Sequence, residues 1–589
     1  MRALKRIPQR RTLALIGILL VVAGILAISS INGCRDDSAA ELRRIRTMDP
    51  RQTRAKSQDH FSMAMGFLDN FEQFDEQTAI ARILSELNRW SETQKPDEDW
   101  IADPLFNRLP PQLKLRRDAA ALSRLKFHLS DVLTLRAATW ARDLSQYITN
   151  HGQIDFLHEK WLTNQNELLG TAAARNLRYC LQTFDWVVRN IQLDPFAEVN
   201  TEGLAEERLI EVPPGVTRLA WEALLTGHGD AWTRASAFIL ITRQLDIPVI
   251  MLAIDRQPTP EPWLNAALIA GQLYLFDPML GIPIPDATGE GVATLEQLRA
   301  DPALIGRLRL DGEHLQGSDL YRFNAKDLDN LVALIDGTEQ YLSQRMKLIE
   351  SALSGEEKMI LTTTPSALRR QLTSSGVVKD ATLWTLPYFQ WQFQQLMSRD
   401  PKFVNQQFLD RRLFLDGSVL ARARRQHFRG ELSGDDQNKG AKALYLQCRI
   451  PNQRINQIET SAATRKSLGM EDHLPEDAVQ RRNLIKLARD SMIDAKQYAS
   501  YWLGIIAQES QRYDVANDFF QRFTLDAFPN GRWTQGATYN LARIHETLGR
   551  TNQDVESLRK AQQLYLADKD SPQAYGNRLR ARRLDELID

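Results

Sequence analysis

Residues 227–248 read GHGDAWTRASAFILITRQLDIP, and this stretch decides how the centre of the chain folds. Two glycines and Asp230 precede an apolar run that Pro248 ends. Asp is a preferred N-cap, because its carboxylate accepts from the first free N–H groups of a helix, and proline cannot continue a helix. The pattern predicts a helix over 231–245 with a first turn suited to a reactive thiol, since the helix dipole lowers a thiol pKa there. The residue at this position is Ala231, which has no nucleophile.

The residues after this helix have the pattern of strands. VIMLAI at 249–254 is a short continuous apolar run, which predicts a buried strand. DRQPTPEP follows with three prolines, which indicate a loop. Segments 263–269 and 272–278 flank Ala270-Gly271, which predicts a β-hairpin with a tight turn.

This order of elements resembles the transglutaminase-like, papain-related core over about residues 175–285. The matching stretches are TFDWVVRNI at 183–191 as the first helix, Gly229-Asp230 before the second helix, Asp246-Ile247-Pro248 in place of Gly-Ile-Pro, Trp263 at the start of the hairpin and Phe276-Asp277-Pro278 at its end. The resemblance implies an α+β core in which a Cys, a His and an Asp act as nucleophile, base and orienting carboxylate.

The chain departs from that family at the positions that carry the chemistry. The positions matching the triad are Ala231, Pro262 and Asp277. Neither Ala nor Pro can act as nucleophile or base, and a carboxylate with no imidazole to orient does no acid–base chemistry. The resemblance therefore implies an inactive core with no catalytic residue.

Two other residues could belong to an active site that lies away from the triad positions. Cys180 lies in an apolar helical pattern, which favours a buried structural thiol over a nucleophile. His228 precedes the predicted helix in a loop, where a histidine is most often solvated. The histidines are scattered without an HxxxH pair, the cysteines form no CxxC, and there is no phosphate-binding glycine motif. No metal and no cofactor are expected.

The N-terminus has the pattern of a membrane anchor. Basic residues precede an uncharged stretch from Thr12 to Cys34, which is long enough to cross a bilayer. The basic residues favour a cytoplasmic N-terminus, so the bulk of the chain is expected to be anchored at the membrane and extracytoplasmic, on the periplasmic side. Ile31-Asn32-Gly33-Cys34 resembles a bacterial lipobox, which makes Cys34 a candidate for lipidation; a retained transmembrane helix with an incidental Cys is the alternative.

The C-terminus contains two similar helical hairpins, at 501–523 and 539–561. They resemble tetratricopeptide repeats: Gly504, Ala516 and Phe520 fall at the repeat spacings in the first, and Ala542 and Leu558 in the second. Helices near 478–495 and 572–588 are expected to cap the stack, because two repeats are too few to be stable alone.

The sequence as a whole predicts a mostly α fold with seven parts. They are a signal or transmembrane anchor (1–34), a tether (35–60), a helical region (61–170), the transglutaminase-like core (171–290), a mixed α/β segment with strands at 358–365 and 381–387 (291–390), a helical region (391–490) and the tetratricopeptide-like repeats (491–589). Long helices are predicted over 61–95, 117–149 and 171–192, and residues 293–355 are also predicted to be helical.

Composition and motifs together favour a binding or scaffold protein of the cell envelope. The chain has 74 basic and 74 acidic residues, so nothing indicates a nucleic-acid partner. The repeats predict protein or peptide partners, held in a concave groove. Two alternatives remain: a divergent hydrolase or transferase with relocated catalytic residues, and an envelope assembly factor in which the core is only a spacer.

Overall fold

The computed structural model describes residues 59–110, 113, 119–155, 157–197, 213–256, 259–310, 323, 325–398, 404–405, 409, 411–415, 417–434 and 439–588. Helices predominate, and the centre of the chain contributes one six-stranded sheet. The predicted mostly α character is therefore present in this part of the chain.

The N-terminal region is helical, but two predicted helices are shorter than expected. The 3-10 turn Phe71–Gln73 interrupts the helix predicted over 61–95, and Asp75 then caps a new helix by accepting from the Thr78 amide. The helix predicted over 117–149 begins only at Leu129. The helices are α1 (His60–Asp69), α2 (Glu76–Ser91), α3 (Ala119–Ser123), α4 (Leu129–His151), α5 (Leu157–Leu169) and α6 (Thr171–Asn190).

The centre of the chain contains the six-stranded sheet and a smaller two-stranded sheet. Its elements are β1 (Gln192–Leu193), α7 (Ala220–Thr226), β2 (His228–Gly229), α8 (Ala231–Arg243), β3 (Val249–Ile254), β4 (Glu261–Ile269), β5 (Gln272–Asp277), β6 (Ile282–Pro283), α9 (Leu295–Ala300), α10 (Ala303–Gly306), β7 (Leu331–Ile335), α11 (Gln344–Ala352), α12 (Pro365–Ser374), β8 (Asp380–Leu383) and α13 (Leu386–Met397). Strands β1 and β2 form a small parallel pair, and the large sheet has the order β6-β5-β4-β3-β7-β8. All its pairs are antiparallel except β7 with β8.

The predicted strand and hairpin are both present. In β3, Met251 and Ala253 face a core cluster that includes α6 and α8, while Ile250 and Leu252 belong to a second cluster. The strand is therefore buried on both faces, which explains its continuous apolar run. At the hairpin turn, Ala270 and Gly271 have φ of 50° and 80°, as a two-residue hairpin turn of the primed type requires.

The mixed α/β segment differs from its prediction in two places. Strand β7 lies inside the region 293–355 predicted to be helical, and it joins β3 to β8. Its sequence, LVALI, is a short apolar run whose periodicity does not distinguish strand from helix. The strand predicted at 358–365 is absent: the amides of Leu361 and Thr362 instead donate to the Glu350 side chain.

The predicted fold class is wrong in including a transmembrane helix. Among the described residues, no helix has both the length and the apolar character needed to span a membrane. The predicted span from Thr12 to Cys34, and with it the lipidation candidate Cys34, lies outside the described residues.

From Val419 to Ile588, the regular elements in the described part of the chain are all helices. They are α14 (Val419–Phe428), α15 (Ala441–Gln447), α16 (Asn452–Gln457), α17 (Ala462–Ser467), α18 (Ala478–Glu509), α19 (Tyr513–Phe520), α20 (Thr534–Asn552), α21 (Val555–Ala567) and α22 (Ala574–Ile588), with a π-helical turn at Gln521–Leu525. The predicted cap at 478–495 is not a separate helix, because α18 runs unbroken through the boundary predicted at 490.

Small residues let these helices pack in pairs. A Cβ built on Gly504 of α18 would lie 2.7 Å from the Phe520 ring of α19, and one on Gly549 of α20 would lie 2.6 Å from Leu558 of α21. The pairs α18–α19, α20–α21 and α21–α22 are in contact. We call α18 to α22 the repeat region.

The inner side of the repeat region packs on the central core. The backbone carbonyl of Arg189, in α6, accepts from the Tyr501 hydroxyl at 2.7 Å and from the Asn540 side chain at 3.2 Å. Trp502 and Trp533 are fully buried in the same cluster as α6 and α8. The inner side of the repeats is thus covered by the chain itself.

Candidate functional site

The quoted stretch folds as predicted, and its polar start is a cap. Asp230 precedes α8, and its Oδ1 accepts from the Thr233 amide at 2.8 Å and from the Thr233 hydroxyl at 2.7 Å. Burial raises the pKa of Asp230. Ala231 is only 2% exposed at the first position of the helix, and Trp232 beside it is also buried. The first turn of α8 is therefore closed to solvent.

The turn after α8 places Asp246, which the predicted resemblance matches to the Gly of Gly-Ile-Pro, in an unusual backbone conformation. Asp246 has a φ of 57°, in the left-handed region. Glycine adopts this region without steric cost, and Asp and Asn tolerate it better than other residues. The turn between α8 and β3 thus restricts this position to a few residue types.

The three positions matching the triad have separate structural roles. Pro262 of β4 pairs with Ala253 of β3, at a point where the register of the two strands shifts. Asp277 is 2% exposed, and its Oδ1 accepts from the amides of Met279 and Leu280, both at 2.9 Å. Its carboxylate therefore caps the turn after β5, as the Asp-Pro sequence favours.

Arg234, one turn after Ala231, lies where α8 meets α6 and the turn after β5. Its guanidinium is 1% exposed and donates to the carbonyls of Ile191 at 2.6 and 2.8 Å, Val188 at 3.3 Å and Pro278 at 3.4 Å. Among the described residues it has no carboxylate within ion-pair distance, and burial lowers its pKa to about 10. Arg234 was not predicted as a site residue, although an arginine in a largely apolar helix was the available signal.

A histidine–carboxylate pair lies beside the same helix start. His228 Nδ1 is 3.2 Å from Asp194 Oδ1, and Arg218 donates to the His228 carbonyl at 2.7 Å and to Asp194 at 3.3 Å. The expectation of a solvated loop histidine is wrong, because His228 is 5% exposed and its backbone forms β2. Burial lowers the pKa of His228, so the neutral ring donates from Nδ1 to Asp194.

The other ring nitrogen of His228 has no reacting group beside it. Nε2 is buried and makes no hydrogen bond within the described part of the chain. The ring centroid of Trp533 lies 4.3 Å away and that of Tyr498 6.2 Å away. We call His228 to Ala231, with Asp194, Arg218 and Arg234, the helix-mouth site; it contains a base with its orienting carboxylate, and no nucleophile.

A narrow cleft lies next to the helix-mouth site, between the core and the repeat region. Its volume is about 20 Å³, close to the space that one water molecule needs. Arg234 lines it together with Val188, Gln192, Leu193, Tyr501, Gln535, Gly536, Tyr539, Asp568, Ser571, Gln573 and Asn577. The cleft follows the line along which the repeats meet the core.

Neither the cysteines nor the acidic residues form a metal or redox centre in the described residues. No group of three His, Cys, Asp or Glu side chains could hold a metal there. Cys180 is fully buried in α6 and Cys448 is partly buried, and burial raises the pKa of both thiols. Both are therefore poor nucleophiles at neutral pH.

No known protein family matches the chain, and no curated protein or solved structure does either. The resemblances to the transglutaminase-like core and to tetratricopeptide repeats therefore stay predictions.

Proposed function

We propose that the chain is a non-catalytic binding or scaffold protein, in which a transglutaminase-like core serves as the rigid support of a repeat region. The observation that carries the proposal is the helix mouth itself. Ala231 occupies the nucleophile position and is buried, and Arg234 next to it uses its donors on the carbonyls that join α6, α8 and the turn after β5. The features that serve catalysis in the family serve packing in this arrangement.

The partner surface of this scaffold is the outer side of the repeats. The inner side is engaged by α6, so the concave groove expected from the sequence is filled. On the outer side, Val555 and Leu566 are 37% and 46% exposed. They lie about three turns apart on α21 and hence on one face of that helix. A protein partner that buries this face would gain apolar contact area.

The second candidate is a divergent hydrolase or transferase, and the His228–Asp194 pair is the observation that favours it. A neutral histidine oriented by a carboxylate can act as a general base. Against it, Trp533 covers the ring, and Nε2 has no hydroxyl or thiol partner among the described residues. The scaffold therefore accounts for more of the geometry.

Activity measurements separate the two candidates. The purified full-length chain is assayed for amine incorporation into a glutamine-containing protein and for peptide hydrolysis, beside His228→Ala and Asp277→Ala. We expect no turnover above the buffer in any of the three. Turnover by the wild type that either substitution abolishes would overturn the scaffold in favour of the enzyme.

Partner binding is tested with matched surface variants. A partner is identified by cross-linking to the wild type in its native cells. We expect the same partner to be cross-linked to Asp277→Ala but not to the double variant Val555→Asp/Leu566→Asp. Val479→Asp is the control, because Val479 is 67% exposed on α18, outside the outer face of α21. Retention by the double variant, or equal loss with the control, would contradict the outer face of α21 as the binding surface.

A further inference from the structure

A histidine, a carboxylate and an arginine are buried together where α14 meets the end of α18. His427 of α14 is fully buried, and its Nε2 lies 2.9 Å from Oε2 of Glu509, the last residue of α18. Its Nδ1 lies 3.3 Å from NH1 of Arg424, which is one turn earlier on α14. The imidazole therefore stands between a cation and an anion and contacts both.

Two further helices complete this arrangement. Tyr147 of α4 donates its hydroxyl hydrogen to Oε2 of Glu509 at 2.7 Å, and the side-chain amide of Asn190, at the end of α6, donates to Oε1 at 3.3 Å. Arg424 in turn donates to Oδ1 of Asn190 at 3.1 Å. We call Tyr147, Asn190, Arg424, His427 and Glu509 the histidine network. It joins the repeat region to α4, α6 and α14.

The geometry of the network determines the protonation state of His427. A guanidinium has donor groups only, so the ring nitrogen that faces Arg424 has to accept a hydrogen bond. Nδ1 is therefore unprotonated, and Nε2 carries the hydrogen that it donates to Glu509. A proton added to Nδ1 would point at the guanidinium and place two positive charges side by side. The folded network thus requires a neutral His427.

Among the described residues, the other groups around the ring offer no anionic acceptor for a second proton. The titratable and charged groups that face the network are Tyr147 on α4, Arg189 on α6, Arg424 on α14, Tyr445 on α15 and Glu509 on α18. The two tyrosine rings lie edge-on to the ring of His427, with centroids 5.7 and 6.4 Å away, and burial raises the pKa of both hydroxyls. Glu509 already accepts from Nε2. Burial is also the largest influence on the pKa of His427, and it lowers that pKa.

We propose that the histidine network is a pH-sensitive contact, which holds α14 against the repeat region at neutral pH and releases it in acid. Once α14 separates, the solvated ring of His427 takes up a proton with the ordinary histidine pKa of about 6.5. The closed form does not bind this proton, so a falling pH favours the open form, by about tenfold in the opening equilibrium for each pH unit below that pKa. Above about pH 5, Glu509 is ionised in both forms and adds little. The contact does not depend on the proposed scaffold function.

The proposal is tested by hydrogen–deuterium exchange of the purified full-length chain at pH 7.5 and pH 5.0. Exchange of the α14 amides is divided by the intrinsic rate at each pH, which gives the opening equilibrium. We expect this equilibrium to rise about thirtyfold in the wild type between the two pH values. His427→Gln keeps an acceptor and a donor in the network but does not titrate, so its rise should stay below about threefold.

A nearby histidine provides the matched control. His151 is exposed on α4, and its ring stacks on that of Tyr147 with centroids 5.1 Å apart. His151→Gln therefore removes a titrating ring beside the network without touching His427, and it should keep the acid response of the wild type. An equal rise in His427→Gln, no rise in the wild type, or loss of the rise in His151→Gln would each overturn the proposal.

A measurement on the wild type alone covers the case in which His427→Gln does not fold. In the chain labelled with ¹⁵N-histidine, long-range proton–nitrogen NMR spectra distinguish the two neutral tautomers from the cation. We expect His427 to be neutral with its hydrogen on Nε2 at pH 7.5. A protonated His427, or a hydrogen on Nδ1, would contradict the network.

Discussion

The helix-mouth site and a group of buried ion pairs both place guanidiniums against α6, but they neutralise them in different ways. The group consists of Arg543 and Arg580 with Asp155 and Asp185, and we call it the arginine cluster. Arg234 donates to backbone carbonyls at and beyond the C-terminal end of α6. In the arginine cluster, Arg543 and Arg580 contact the carboxylates of Asp155 and Asp185. The first arrangement uses dipoles of the backbone, and the second uses opposite charges.

The difference shows what each arrangement depends on. The negative end of a helix dipole is present whenever the helix is folded, so Arg234 needs no titratable partner. A buried ion pair depends on both members, because removing one leaves the other charged and desolvated. The core side of α6 should therefore tolerate changes of pH and of single side chains better than the repeat side.

The largest effect is expected from Asp155→Asn. It leaves Arg543 and Arg580 without the carboxylate that they share. We expect the free energy of unfolding to fall by about 3–5 kcal/mol, measured by chemical denaturation. A loss below about 1 kcal/mol would mean that the cluster is solvated and not buried.

A smaller loss is expected from Arg234→Met, which keeps much of the side-chain volume. The carbonyls of Val188, Ile191 and Pro278 lose their donor, and no charge is left behind. We expect a loss of about 2–3 kcal/mol in the same denaturation measurement. If this loss exceeded that of Asp155→Asn, the distinction between the two sides of α6 would fail.

The acid dependence of stability should differ between the two variants. Burial raises the pKa of Asp155, but Arg543 and Arg580 outweigh it and hold that pKa well below its usual value. A carboxylate with a lowered folded pKa stabilises the protein above about pH 4, and this stability is lost as the pH falls. Denaturation between pH 7 and pH 3 should give a flatter curve for Asp155→Asn, whereas Arg234→Met should run parallel to the wild type.

The smallest effect is expected from His228→Phe. The Phe ring keeps the contact with Trp533 and loses only the bond to Asp194. We expect a change below about 1 kcal/mol at pH 7.5. Burial lowers the pKa of His228, so wild-type stability should fall as the pH drops through about 6.5, where the unfolded histidine takes up a proton. Equal slopes for wild type and variant between pH 7.5 and 5.5 would show a solvated His228.

The parts of the fold that the sequence predicted are those with local signals. Asp230 caps the start of α8, and Pro248 follows its end. The apolar run 249–254 is a strand buried on both faces. Strand β7 was not predicted, because LVALI is too short for its hydrophobic period to distinguish a strand from a helix. Its partners, β3 and β8, are also distant in sequence.

The sites were harder to predict because they depend on contacts between distant residues. Nothing near Arg234 in the sequence indicates the carbonyls of Val188 and Ile191 that accept from it. His228 looked like a loop residue because Trp533, which buries it, lies about three hundred residues further along the chain.

Helix α18 gives the molecule a mechanical property of its own. Its 32 residues span about 48 Å. Its first half packs in a small cluster with Ile455, Ile458 and Leu468, and its second half carries Tyr501 and Trp502 into the main core. Because the helix is continuous, a force applied to the small cluster is transmitted to the aromatic contacts around Trp533 without passing through a hinge.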